Sequence, residues 1–325
     1  MNKKIKTIVL DAGGRYGLHP SWKSFSGELS YYLFEPDKEE ADRLKEKYLN
    51  RGDEIIIDDR ALNDENGTIS LNILSNRAMS TSFTRSRKKE YFDGEKSDQV
   101  KVVDKINVSA VTLDTFCHAN KLVPDFLKLD VEGAEYKILK GGTSQLGNIL
   151  GIRCEVNFDT VFEGTPSFSK IHDFMLENKF FLLNLNYDGK GAYRNQFVNA
   201  NGKYGILKDC DAVWIKEYNS LFNDEGTNLD IRILKYAAFC LNNNASDVAV
   251  EVLVKAVIEY DVNFDKLNKT RLYKFVDISI HKLFYSLKWQ PGQSLIKHKE
   301  IYFKIFNKHM LETHNYNQSL VMNPD

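Results

Sequence analysis

The 325-residue chain has only four cysteines, Cys117, Cys154, Cys210 and Cys240, and no two of them form a CxxC pair. That scatter excludes zinc ribbons and redox dithiols, and the count is too low for a disulfide framework. Buried, reduced thiols are expected. A long apolar run is also missing: none approaches the ~18 residues associated with a transmembrane helix. No secretory leader is read, because the N-terminus enters a strand within a few residues. Net charge is nearly absent, with 44 Lys and Arg against 45 Asp and Glu. That balance argues against wholesale nucleic-acid binding, which needs a basic surface to offset phosphate charge. A cytoplasmic protein with no transmembrane segment and no nucleic-acid partner is the expectation.

What is there reads as an α/β protein. Ile5 to Leu10, Ser30 to Phe34 and Glu54 to Ile57 are short β-rich runs, each ending in acidic or glycine residues, and Phe126 to Leu129 and Gly151 to Val156 resume the pattern. The stretch between the first two runs is compatible with one helix, and helices are predicted from Lys38 to Tyr48, Ala134 to Lys140 and Phe168 to Asn178. Strands alternating with helices predict a parallel, doubly wound sheet. Phe180 to Asn186 and Ala212 to Lys216 predict an antiparallel pair at its edge. Thr68 to Leu74 and Val100 to Val111 alternate in the β manner. Between them Arg77 to Asp98 is polar and carries Arg85, Arg87, Lys88 and Lys89, as a functional lid loop or a merely solvated one would.

From about Leu221 the periodicity becomes helical: Ile231, Leu234, Ala238 and Leu241 share one face, and Ala249, Leu253, Ala256 and Tyr260 another. Further amphipathic helices are predicted over Arg271 to Leu287 and Lys297 to Leu311, where basic residues far outnumber acidic ones. A solvated helix face is the ordinary reading of such a run, and an anionic partner at Lys297, Lys299 and Lys304 the sharper one. The organisation expected is a catalytic domain over 1–220, with an insertion around 77–98, and a C-terminal helical region over 221–325.

The chemistry gathers at strand ends. Asp11-Ala12-Gly13-Gly14-Arg15-Tyr16-Gly17 places glycines directly after a buried strand, where backbone can approach a ligand and a following helix start presents free N–H groups. Glu35 ends the second strand, where a carboxylate can accept hydrogen bonds from both hydroxyls of an adenosine ribose. The two together fit NAD as well as S-adenosylmethionine, although the stricter G-x-G-x-x-G spacing of a dinucleotide fold is missing. Asp130 and Glu132 end the fourth strand. One could act as general base, the pair could help bind a divalent metal, or Glu132 could cap the next helix. Glu155 and Asn157 end the fifth strand and could orient an acceptor. His19 and His172 are more ordinary residues, and Asp114 is read as structural.

The chain resembles the FkbM family of methyltransferases. The resemblance is carried by Val9 to Gly17, Phe34-Glu35-Pro36-Asp37, Arg60-Ala61-Leu62, Thr112-Leu113-Asp114, the run Leu127 to Glu135, and Glu155-Val156-Asn157. It spans about residues 5 to 217. It implies a Rossmann-like class I methyltransferase fold: a seven-stranded sheet whose last strand is antiparallel. It also implies S-adenosylmethionine as methyl donor and O-methylation of a sugar, surface glycan or natural-product hydroxyl. The cofactor positions carried over are Asp11, Gly13, Gly14, Gly17, Glu35, Asp59, Ala61, Leu62 and Asp130; Asp130, Glu132 and Glu155 are the catalytic candidates. Gly14 and Arg15 depart from the family loop, which usually has a small residue and Asn there. A nicotinamide-dependent oxidoreductase, or a methyltransferase-like module without activity, are the alternatives.

Overall fold

A computed structural model of the protein describes residues 5–49, 53–86, 98–186, 207–223, 228–286 and 304–306. The chain divides into two compact units, one within Lys6–Glu217 and one within Tyr218–Asp325 together with Met1–Ile5.

The first unit is built on β1 (Thr7–Ala12), which is apolar at most positions and buried on both faces, as a central strand of a parallel sheet must be. After it come β2 (Leu29–Phe34), α1 (Lys38–Tyr48), β3 (Glu54–Asp58), β4 (Ala61–Asn63), β5 (Gly67–Leu74), β6 (Val102–Thr112) and α2 (Leu113–Asn120). The unit continues with β7 (Phe126–Leu129), α3 (Glu135–Lys140), α4 (Thr143–Leu146), β8 (Gly151–Asn157), α5 (Phe168–Glu177), β9 (Phe180–Asn186) and β10 (Asp209–Lys216). The main sheet has seven strands in the order β3-β2-β1-β7-β8-β10-β9. The pairings β1–β2, β1–β7, β2–β3 and β7–β8 are parallel, and β10 runs antiparallel to both β8 and β9. This is the Rossmann-like arrangement of a class I methyltransferase, with the last strand inserted against the direction of the others.

Register puts the functional strand ends side by side. Ala12 pairs with Phe34 on one flank and Leu129 on the other, so Gly13, Glu35 and Asp130 all leave the same edge of the sheet. Helix α1 buries Ala41, Leu44 and Tyr48 on one stripe, with Glu39 and Glu40 in its first turn and Lys45 and Lys47 in its last, each favoured by the helix dipole. On one face of the sheet the core joins Leu10, Phe34, Leu127, Leu129, Ile152, Val156 and Trp214 with Phe116 of α2.

Two elements differ from expectation. The segment between β1 and β2 is not an α-helix but a 3-10 turn, Pro20–Phe25, capped by His19. Its apolar anchors, Trp22 and Phe25, are three residues apart, which a 3-10 helix eclipses on one side; their rings meet Phe126 at 5.6 and 5.4 Å. The alternating runs around the polar insertion form a second, three-stranded sheet in the order β4-β6-β5, with β4 parallel and β5 antiparallel to β6.

The second unit is helical. Helices α6 (Leu229–Asn242), α7 (Ser246–Glu259) and α8 (Arg271–Ser286) pack with α6 against both others. The predicted face of α7 is confirmed for Ala249, Leu253 and Ala256, which are buried, whereas Tyr260 is exposed and stacks on Phe222. Of the predicted final helix, residues 304–306 are helical and the rest lies outside the described residues. Among the described residues no helix is long and apolar enough to cross a membrane.

Candidate functional site

Where β1, β2 and β7 end, the first unit opens into a cleft with about 700 Å³ of empty space, part of it open solvent. Ala12, Gly13 and Arg15 form one wall, and Phe34, Glu35 and Asp37 the next. Ala61, Leu62, Ile69 and Leu71 of the small sheet give an apolar face, and Asp130, Val131 and Glu132 close the far end. The described part of the insertion contributes Arg77, Ala78, Ser80 and Ser82, so this much of it is wall rather than solvated loop. Residues 87–97, with Arg87, Lys88 and Lys89, lie outside the described residues.

Gly13 is required by close approach. Its φ is +84°, and a Cβ there would lie 1.7 Å from the carbonyl oxygen of Asp130. The first and fourth strand-end loops therefore touch through backbone, with Asp130 N donating to the Ala12 carbonyl at 3.1 Å.

Glu35 is buried, and its Oε1 accepts from the Asp37 amide at 2.9 Å. Among the described residues its Oε2 takes no hydrogen bond. Burial pushes its carboxyl up to about 7, against the Asp37 amide and the charge of Arg15. A desolvated carboxylate with an oxygen to spare stabilises a ligand that brings hydroxyl donors.

Asp37 stands at the N-cap of α1 but makes no capping bond. Instead it accepts from Arg15 Nη1 at 2.9 Å and, bidentately, from Arg77 Nε and Nη2 at 2.9 and 2.8 Å. Burial works against its ionisation, but these guanidinium bonds prevail and hold its carboxyl below the usual range. Arg15, a departure from the family loop, is thus tied to the insertion through a shared carboxylate.

At the far end the backbone turns sharply. Glu132 has a φ of +56° and Gly133 of +109°. A Cβ on Gly133 would meet the rings of Phe162 and Phe83 at 2.9 and 3.3 Å. The Glu135 carboxylate accepts from the loop amides of Val131 at 2.9 Å and Gly133 at 3.0 Å, and among the described residues no side chain caps α3, so Glu132 does not fill the capping role considered for it. Thr81 Oγ1 donates to the Glu132 carbonyl at 2.6 Å. Glu132 itself is half-buried in the cleft wall; burial, then the charges of Asp130 and Glu135, raise its carboxyl to about 8.

Of the residues expected from sequence, the cleft walls include Gly13, Glu35, Ala61, Leu62, Asp130 and Glu132. Asp11, Gly14, Gly17, Asp59 and Glu155 are not among them. Asp11 is turned into the protein, fully buried, where it accepts from Tyr31 and from Lys128 Nζ at 3.3 Å. Gly14 packs on Leu33 and Gly17 on the Tyr48 ring. Asp59 is exposed and pairs with Lys45 at 3.1 Å. Glu155 is not part of the lining, its carboxyl raised by burial and by the nearby charges of Glu132 and Asp130.

His172 accepts from Trp214 Nε1 at 3.3 Å and stacks on Phe168, and His19 caps its turn with burial holding it down at about 4. Asp114 Oδ2 accepts from the Ser144 amide, an ordinary structural bond. Among the described residues no three His, Cys, Asp or Glu side chains are grouped as a metal would need. Lys297 and Lys299 lie outside the described residues, while Lys304 is exposed.

Three important residues were not foreseen. Lys128 is buried and bridges Asp11 and Asp130 at 3.3 and 3.4 Å; burial alone would lower its pKa, but those two carboxylates outweigh it and raise it. A lone lysine inside the apolar run Phe126-Leu127-Lys128-Leu129 was the available signal, since a lysine is rarely buried unpaired. Glu135 and Thr81 act on backbone groups; Glu135 closes the run that carries the family resemblance, whereas Thr81 belongs to none of the matching stretches.

Comparison with known proteins supplies the family. No curated protein matches the chain. Similar solved structures include a TehB-like SAM-dependent methyltransferase from Corynebacterium glutamicum, at 14% identity over 66% of this chain and 82% of that one, TM-score 0.30. Others are a putative tRNA (m1A22) methyltransferase from Streptococcus pneumoniae, at 10% identity, 93% and 92% coverage and TM-score 0.30, and M. capricolum TrmK in complex with S-adenosyl-homocysteine, at 11%, 93% and 91%, TM-score 0.29. These likenesses are too loose to carry function. The model of the methyltransferase FkbM domain, by contrast, matches residues 12–182, more than half of the chain. The chain belongs to the FkbM methyltransferase family.

Proposed function

We propose that the Lys6–Glu217 unit is an S-adenosylmethionine-dependent O-methyltransferase acting on a hydroxyl of a sugar, surface glycan or natural product. The observation that carries this reading is one cleft with Glu35 at one end and Asp130 with Glu132 at the other, joined by the apolar face of Leu62, Ile69 and Leu71. The spare oxygen of Glu35 suits the two hydroxyls of a ribose, and the flat apolar face suits an adenine. Family membership favours methyl transfer over nicotinamide chemistry, which shares the first two features.

S-adenosylmethionine supplies a methyl group on a sulfonium, already activated for in-line displacement. The protein's share is to orient the acceptor, exclude water and manage one proton. An alcohol stays protonated at neutral pH, so a base assists its attack. Glu132 is the proposed base: with its carboxyl at about 8, an oxygen of its carboxylate accepts the hydroxyl proton more readily than an ordinary glutamate would. Asp130 and Glu155 are the alternatives at the same end.

Calorimetry tests the cofactor. S-adenosylmethionine should bind and NAD should not, and Glu35→Ala should weaken binding about 10- to 100-fold, the loss of hydrogen bonds to a charged group worth roughly 1.5–3 kcal/mol. Binding of NAD alone would end the reading. Mass spectrometry with S-adenosylmethionine and a panel of activated sugars, glycan extracts and RNA then identifies the acceptor; a methylated RNA base would replace the hydroxyl acceptor proposed.

A further inference from the structure

Thr81 is almost completely buried, yet it belongs to a polar insertion and lies far in sequence from the loop it touches. Its backbone exchanges two hydrogen bonds with Asn72 of β5, at 2.9 and 3.2 Å. Its hydroxyl donates to the Glu132 carbonyl at 2.6 Å and accepts from the Phe83 amide at 3.1 Å. Glu132 occupies the left-handed region, which a residue with a side chain adopts only where its surroundings impose it. From the opposite side, Glu135 gathers the amides of Val131 and Gly133. The Glu132 peptide is therefore gripped from two directions, and Thr81 supplies the grip that comes from the insertion. The next residues continue the contact: the Ser86 amide donates to Val161 at 2.9 Å, and Phe83 packs with Phe162 around Gly133.

We propose that Thr81 is a positioning residue for the reaction, its hydroxyl holding the Glu132 peptide in the left-handed conformation that presents the Glu132 carboxyl to the cleft. The inference rests on the reading of Glu132 as base and extends it, since it makes the insertion part of the catalytic arrangement. Valine has the shape of threonine but can neither donate to Glu132 nor accept from Phe83, whereas serine can do both.

The test is the titration of the Glu132 carboxyl in the full chain labelled with [13C]glutamate, its signal assigned by its disappearance in Glu132→Gln. In the unchanged protein the midpoint should be near 8. In Thr81→Val the loosened turn lets water reach the carboxyl, and the midpoint should fall by about one unit or more toward the ordinary value of ~4.3. Thr81→Ser should restore it. The Glu35 signal, at the other end of the cleft, should keep its midpoint in all three, which separates positioning from general loosening. If Thr81→Val does not fold, Thr81→Ala reads the same midpoint.

An unmoved Glu132 midpoint on loss of the hydroxyl, equal movement of Glu35, or serine behaving like valine would overturn the proposal. Failure of the base reading looks different: Glu132→Gln would continue to transfer methyl groups while the midpoint still responded to Thr81.

Discussion

At the end of β1 the acidic residue is turned inward, Asp11 being fully buried against Lys128 and Tyr31, and the chain meets the cleft with the backbone of Ala12 and Gly13. At the end of β7 the acidic residues Asp130 and Glu132 face the cleft, and the backbone is what neighbouring side chains restrain. Both loops turn through a positive-φ glycine, and they touch each other, yet one offers peptide groups and the other carboxylates. The difference shows that an acid at a strand end does not announce its use. Buried Lys128 reaches both Asp11 and Asp130, and the one that Tyr31 also binds is the one enclosed.

The contrast can be broken most severely at its point of contact. Gly13→Ala must push a Cβ into the Asp130 carbonyl, so it should abolish S-adenosylmethionine binding and lower the melting temperature; ordinary affinity by calorimetry would show that the two loops do not need to meet. Glu132→Gln comes next. Turnover should fall about 10²- to 10⁴-fold, the usual worth of a general base, with cofactor affinity kept.

In the unchanged enzyme kcat/KM should rise with pH and level off above about 8, because the ionised carboxylate is the active form. A carboxyl raised in the folded state adds stability at low pH that is lost as pH climbs from about 4.5 through about 8. Glu132→Gln should therefore be the more stable protein at pH 9, and urea melts at pH 4 and 9 check the sign. Lys128→Met acts on the inward-turned acid instead. It strands Asp11 without its cation and should cost about 3–5 kcal/mol of stability, read by urea unfolding, while disturbing cofactor affinity less than Gly13→Ala does.

Much of the main sheet was legible because parallel strands announce themselves as short apolar runs ended by glycine or acid. Phe126–Leu129 and Phe180–Asn186 fall where periodicity placed them; β1 is displaced by two residues at both ends, and the other main-sheet strands differ by one to three residues at one end. The stretch between β1 and β2 is compatible with a helix by sequence but folds as a 3-10 turn over Pro20–Phe25, burying Trp22 and Phe25, whose spacing of three suits either. At the site, Gly13, Glu35 and Glu132 were readable from position alone. The inward turn of Asp11 was not, since its partners come from Tyr31 and Lys128, on the two neighbouring strands. Thr81 was invisible for the same reason: its worth comes from a carbonyl that folding brings to it.

The apolar face of the cleft has a consequence for assembly. Ala61 and Leu62 are held by parallel pairing to Ala110 and Val111, partners that reach them only after the intervening chain has gone out along β5 and returned along β6. Closing so long a segment is slow relative to local contacts. This side of the cleft should thus form after β1 and β2 have paired, since those strands lie much nearer in sequence, so that a newly made chain acquires its β1–β2 platform before it can retain a cofactor. Pulse-labelled hydrogen exchange during refolding should find the amides of β1 protected before those of β4.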